Sequence, residues 1–392
     1  MIIAVISFII ILALLVLVHE WGHFFAARKF GCKVEEFGFG FPPRIFGKRL
    51  KKDGPNGTLY SFNWIPLGGF VKIKGEQGES RDDSDSFAHK KPWQRALILG
   101  GGVLMNVVLA FVLLSIGFGV GVPQVIDETV GSGAQIKDQK IVVVEVLPDS
   151  PAASAGIEPG DTIVGYVESF YSEETNCEGN NDPACGQTAQ PGFSPSIFAS
   201  IEDMQNYFDK NIGKELLLPI RKQDEQVHEY VTIVPHQLEG VDRGGIGVAL
   251  VETGVVSYPF YMAPVKGAQA TVSLTGQILV AFGGLIRDIA VKQEVSVDVT
   301  GPVGIAVLTG QVVDQGIVYL IYFVALLSLN LAIINFLPFP ALDGGRFLFL
   351  IIEKIRRKPV NQRVEGVIHM IGFALLLLLV LLVTVRDVIQ LF

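Results

Sequence analysis

Four stretches of the chain carry apolar residues with no polar rhythm: residues 2–27, 97–122, 316–336 and 366–385. In the first, residues 2–18 are apolar but for Ser7. Each stretch has about the 20 residues needed to cross a hydrocarbon core of roughly 30 Å, so each is predicted to be a membrane-spanning helix. A cleavable leader is the alternative for the first. No basic segment precedes it and no small-residue cleavage site follows, which favours a span.

Between the second and third spans the pattern changes to short periods. Residues 139–147, QKIVVVEVL, read as a buried strand. Pro148 and Asp149 make a turn, and a short helix starts near Ser150 and Pro151. Gly156 stops it in a left-handed conformation, Pro159–Gly160 turns again, and a strand follows. Ile201, Met204 and Phe208 stand at helical spacing over 201–211. ELLLPIRK and HEYVTIVP then read as a hairpin. A polar insertion rich in Gly and Asn interrupts this segment at 169–195.

Charge sets an expected orientation. Residues 28–95 hold 14 Lys and Arg against 8 Asp and Glu, and residues 337–365 hold 6 against 3. Residues 123–264 hold 7 against 22. Short basic loops stay in the cytoplasm, so both basic loops are predicted inside and the acidic segment and both termini outside. The formal net charge of −8 thus averages two unlike surfaces. No part of the chain has the basic stripe of a nucleic-acid binder. Cys32 falls on the reducing side. Cys177 and Cys185 fall outside, in the insertion, where an oxidising compartment would let them pair.

The candidate chemistry sits at the inner end of the first span, in HEWGH. His19 and His23, four residues apart on a helix, share a face and can bind one metal ion. Imidazole suits zinc. Glu20 cannot ligate comfortably beside them but can accept a proton from water that zinc has acidified toward a pKa of about 7. Catalytic zinc takes a third protein ligand. Asp343, in NFLPFPALDGGRFLF, emerges on the same side as His19 and is one candidate. His369, inside the fourth span, is another. The bland reading of Asp343 is a cap for the helix that begins there.

With these residues in place, the chain resembles the site-2 protease family of intramembrane zinc metalloproteases, of the bacterial regulator-of-sigma-E type. HExxH in the first span, EFGFGFPP and PLGGFVKIKGE, KKPWQRALILGGGVLMNVVLA, GPVGIA and NFLPFPALDGG carry the resemblance over nearly the whole chain. Val103 departs from it, standing where the family usually has proline. Residues 135–236 resemble a circularly permuted bacterial PDZ domain, single where some relatives have two. The fold implied is an α-helical multi-pass membrane protein with four transmembrane helices, a cytoplasmic membrane-associated β-hairpin within 28–96, and an extracytoplasmic α+β PDZ domain. Residues 265–312 are expected to be a helical segment lying along or partly within the membrane surface. A crossing there would invert the third span and part Asp343 from His19.

The resemblance implies one zinc ion per chain, held by His19, His23 and Asp343, with Glu20 as catalytic base. Asn335, Pro338 and Pro340 map to a region that handles substrate, and Asn106 lies near the site. Strands at 58–64 and 70–74, joined through Pro66, Gly68 and Gly69, would offer an edge to an unwound substrate. The implied activity is regulated intramembrane proteolysis of single-pass membrane proteins, of the anti-sigma-factor or signal-peptide-remnant type. An upstream protease would trim each substrate first. A catalytically silent PDZ scaffold and a zinc transporter are the rival readings.

Overall fold

The computed structural model describes residues 2–50, 57–127, 130–131, 133–167, 195–222, 228–237, 244–292, 301–358 and 360–391. The expected Cys177–Cys185 pair and all of the insertion but Pro195 lie outside these residues. In chain order the elements begin α1 (Ile2–Lys29), β1 (Val34–Arg49), β2 (Leu59–Ile73), α2 (Pro92–Val120), β3 (Val122–Val125), β4 (Gln135–Val146), α3 (Pro151–Ser154), β5 (Thr162–Ile163), β6 (Gly165–Val167) and β7 (Pro195–Ile197). They continue with α4 (Ile201–Lys210), β8 (Leu216–Arg221), β9 (His228–Ile233), β10 (His236–Gln237), β11 (Gly244–Gly245), β12 (Val248–Ser257), α5 (Ala263–Lys292), α6 (Pro302–Gln315), α7 (Ile317–Phe336), α8 (Asp343–Arg356) and α9 (Gln362–Leu391). The chain divides into two compact units, one of Met1–Gly121 with Tyr258–Phe392 and one of Val122–Ser257.

The first unit is helical. Alpha helices α1 and α2 cross with their backbones in contact: a Cβ on Gly22 would collide with the Gly101 carbonyl, and one on Gly101 with that of Gly22. Small residues permit this approach, which apolar surroundings alone do not drive. Helix α7 packs against both, with Ile11, Leu15 and Val324 in one cluster. The Ser328 hydroxyl donates to the Asn106 carbonyl at 2.8 Å, binding α7 to α2.

Among the described residues, five helices are long and apolar enough to cross a membrane, one more than the four stretches expected as spans. The additional one, Ala263–Leu285, lies within α5. Its buried positions Ala263, Gly267 and Thr271 recur every four residues. Gly267 meets Ser115 of α2 and Ala263 meets Gly119, so α5 runs antiparallel to α2. Composition made this segment ambiguous; the small-residue stripe decides that it packs on α2. Helix α6 is separate. The N–H groups of Gly301 and Gly304 donate to Asp387 of α9 at 3.1 and 2.8 Å, and Gly310 rests on Ala4 of α1.

The expected strands at 58–64 and 70–74 do not form a simple hairpin. They belong to one strand, β2, that folds back along β1: Phe37 lies between Tyr60 and Val71, and Gly38 between Ser61 and Phe70. The far half of β1 pairs with the start of β2, Arg49 opposite Leu59. At its Val34–Ile73 end the sheet packs with Ala27, Cys32, Ile98 and Leu350.

The second unit is built on a sheet of order β3-β12-β4-β5-β8-β6-β7, with β9 beside β8. Ile141, Met204, Phe208, Leu218 and Ile220 belong to its core. The Ser150 hydroxyl caps α3 by accepting the Ala153 N–H at 3.1 Å, and Gly156 has φ +75°. Strands β3 and β12 extend the sheet beyond the 135–236 expected.

Candidate metal centre

Helix α1 sets His19 and His23 one turn apart, both buried, at 5% and 6% exposure. The third group arrives from 320 residues away. Helix α8 starts at Asp343, with Leu342 at the capping position and no side-chain cap. The Asp343 carboxylate turns to the imidazoles instead: its Oδ2 lies 2.9 Å from His19 Nε2 and 3.1 Å from His23 Nε2. The two Nε2 atoms are 3.1 Å apart. Two imidazoles and one carboxylate, each offering a ligand atom within 4.8 Å of the others, form a zinc-type donor set.

Two further features fit an ion there. Gly102 of α2 faces the cluster, and a Cβ on it would collide with His23 Nε2 and crowd His19. Helix α2 therefore leaves open the space where the ligand atoms converge. His23 Nδ1 donates to the Ile98 carbonyl at 2.9 Å, which leaves the Nε2 lone pair facing the site.

Glu20 stands beside this cluster. Its Oε2 accepts the backbone N–H of Val71 at 3.0 Å, so the last stretch of β2 runs along the site. Gly69 approaches the Glu20 side chain and Gly68 rests on Val16. A cavity of about 180 Å³ is lined by Glu20, His23, Val71, Ala341, Asp343 and Arg346, among others.

The remaining candidates divide. Asn335 Nδ2 lies 3.4 Å from His19 Nε2, inside the centre. Asn106, expected near the site among the substrate-binding residues, is completely buried and faces His19 Nδ1 at 3.4 Å. It sits behind the imidazole rather than on the cavity wall. Pro338 is exposed in the turn after α7. Pro340 packs against Gly372 of α9. His369 does not join the ligand cluster; its Nδ1 accepts the Ala341 N–H at 2.9 Å.

Sequence reasoning missed Arg346 and Glu76, which form an ion pair at the cavity edge. The one available signal was a guanidinium one helical turn beyond Asp343. Its partner lies 270 residues away and no local pattern points to it.

Comparison with known proteins agrees with the chemistry of this centre. The model of peptidase family M50 matches residues 7–379. The regulator of sigma-W protease RasP of Bacillus subtilis is 29% identical over 474 residues, covering 99% of each chain. The zinc metalloprotease RasP of Geobacillus kaustophilus is 30% identical over 471 residues, covering 98% of this chain and 97% of that protein. That of Oceanobacillus iheyensis is 28% identical over 475 residues, covering 99% of each. The present chain belongs to peptidase family M50, and it is a membrane zinc metalloprotease.

Proposed function

We propose that the protein is an intramembrane endopeptidase that hydrolyses peptide bonds in or near the transmembrane segments of single-pass membrane proteins. One observation carries this reading: Asp343 converges with His19 and His23 beside Glu20, and α1, which carries the last three, is long and apolar enough to cross a bilayer. An ionisable cluster at such depth is costly and is retained for chemistry.

In this reading His19, His23 and Asp343 hold the zinc. When bound, a zinc ion there would supply Lewis acidity for a scissile carbonyl and for an attacking water near neutral pH. Glu20 takes the proton from the attacking water and passes it to the leaving amine. The Val71 N–H holds Glu20 Oε2 in place, leaving its other oxygen for that proton. Asn335 is placed to bind the substrate beside His19. A transmembrane helix keeps its peptide bonds internally paired, so a substrate must unwind before attack. The end of β2 offers an unwound segment a strand to align on next to Glu20. The scaffold and transporter readings find no comparable support, since the cluster has a base as well as ligands.

Four crossings remain the topology we favour. Helix α6 joins the C-terminal end of α9 to the N-terminal end of α1, and so lies across one end of the bundle. Helix α5, with 30 residues, is about 45 Å long. The nine peptide steps from Lys292 to Gly301 reach roughly 30 Å at most. They cannot bring a fully crossing α5 back to that end, so α5 enters the membrane obliquely along α2. The loop charges put β1, β2 and α8 in the cytoplasm and the second unit outside. We read that unit as a PDZ domain, on the resemblance of its sequence over 135–236, and assign it to governing substrate access. Substrates of the anti-sigma type, trimmed beforehand by another protease, fit this arrangement; the Bacillus subtilis relative is named a regulator of sigma-W protease.

The reading is tested with Glu20→Gln in purified protein. Cleavage should fall by about 10²–10⁴-fold with zinc content unchanged, since a base is lost and not a ligand. Normal turnover would refute the mechanism. Membrane proteins that accumulate in cells carrying this variant are the candidate substrates. Sidedness needs introduced thiols, because Cys32 is buried and burial pushes its thiol pKa up, silencing it on either face. With Cys177 and Cys185 both changed to Ser, exposed Lys210→Cys should label in intact cells with an impermeant reagent and exposed Lys48→Cys should not. The reverse pattern would invert the orientation.

A further inference from the structure

The polypeptide turn that delivers Asp343 is strained. Ala341, two residues before it, has φ +84°, a left-handed backbone that L side chains other than Asn and Asp rarely adopt. Such a conformation persists only where its surroundings impose it. The Ala341 N–H supplies the clue: it donates to His369 Nδ1 across 2.9 Å. His369 therefore presents a lone pair at Nδ1 and carries its proton at Nε2. That Nε2 is buried without a hydrogen-bond partner, with Glu365 Oε1 4.0 Å away. One turn on, Gly372 of α9 lies against Pro340 so closely that a Cβ there would overlap it.

We infer that His369 is a positioning residue of the active site: its Nδ1 holds the left-handed Ala341 turn, and that turn aims the Asp343 carboxylate at His19 and His23. The inference rests on the reading of Asp343 as a zinc ligand. It assigns the one histidine of the last helix, a candidate ligand by sequence, a place one step behind the ligand set. It also explains why α9, whose apolar side chains are otherwise widely exposed, touches the PFPALDG turn at two successive points. A glycine at 341 would adopt the same backbone without strain and so need less help from the imidazole.

The test measures zinc dissociation constants of the purified full-length protein by chelator competition. The chains compared are the wild type, Asp343→Asn, His369→Leu, His369→Asn, and His369→Leu combined with Ala341→Gly. His369→Leu should bind zinc about 10-fold more weakly, the size expected for losing a group that orients a ligand. His369→Asn, which keeps an acceptor near the same place, should lose less. Ala341→Gly should restore most of the affinity lost in His369→Leu, which a merely destabilised fold would not permit. Wild-type affinity in His369→Leu, or no recovery with Ala341→Gly, would overturn the inference. Equal affinity of wild type and Asp343→Asn would overturn the ligand reading, and this inference with it.

Discussion

The two units of this protein place their polar and apolar groups in opposite ways. The second unit buries Met204, Leu218 and Ile220 completely, and its buried Asp161 is paired with Lys222 at 2.8 Å. The first unit turns Ile2, Val272 and Leu379 outward at 78%, 74% and 61% exposure, while it buries His19, His23, Asn106 and Ser328. Water rewards the first arrangement through the hydrophobic effect. In a bilayer the surroundings are as apolar as leucine, so helix association depends on close backbone contact and on hydrogen bonds between helices. Gly22 against Gly101, and Ser328 bonded to the Asn106 carbonyl, are contacts of that kind. The lesson is that burial has a different meaning in the two units. A buried leucine in the second is core, whereas a polar group buried between the helices of the first is part of their packing or of the site.

The largest way to break the comparison is to remove a buried polar group from the first unit. Asp343→Ala or His23→Ala should abolish zinc retention together with cleavage, because each deletes a proposed coordinating group. Full zinc occupancy in either variant, by metal analysis, would remove that residue from the ligand set. Next comes a matched pair of apolar truncations. Leu218→Ala should destabilise the second unit by about 2–5 kcal/mol. Leu379→Ala on α9 should change stability by about 0.5 kcal/mol or less. Thermal or denaturant melts of the full chain in detergent would reveal it, and equal costs would erase the contrast.

Gly102→Ala sharpens the comparison at smaller scale. Its Cβ would push His23 and His19 aside, so zinc affinity should fall by about 10-fold, a loss typical of misplaced ligands. Unchanged affinity would show that the imidazoles can move freely. The smallest expected effect on catalysis comes from excising the second unit. Because β3 and β12 belong to its sheet, the cut should remove Val122–Ser257 and not 135–236 alone. The ends suit a short linker, since the Tyr258 N–H already donates to the Phe118 carbonyl at 2.7 Å. Trimmed substrates should still be cut at near-normal rate while untrimmed ones become substrates too. Loss of cutting for trimmed substrates, with zinc retained, would assign the unit to peptide capture.

Some of this architecture follows from the amino-acid sequence alone. Membrane helices are legible because a bilayer demands about 20 apolar residues in a row. The pairing of His19 with His23 is legible because four residues make about one helical turn. The cap at Ser150 and the left-handed Gly156 are legible because turn chemistry is confined to a few neighbours. What only the tertiary structure decided involves partners far apart in the chain. Local periodicity left Asp343 open as a helix cap or a ligand, and the fold turned its carboxylate 324 residues back to His19. Composition made α5 look like a span, and contacts with Ser115 and Gly119 placed it along α2. Nothing in the sequence tied Glu20 to the Val71 N–H, Glu76 to Arg346, or His369 to Ala341. Local rules act through bonds between near neighbours, whereas these contacts depend on how whole helices and strands pack, and packing leaves no period in the chain.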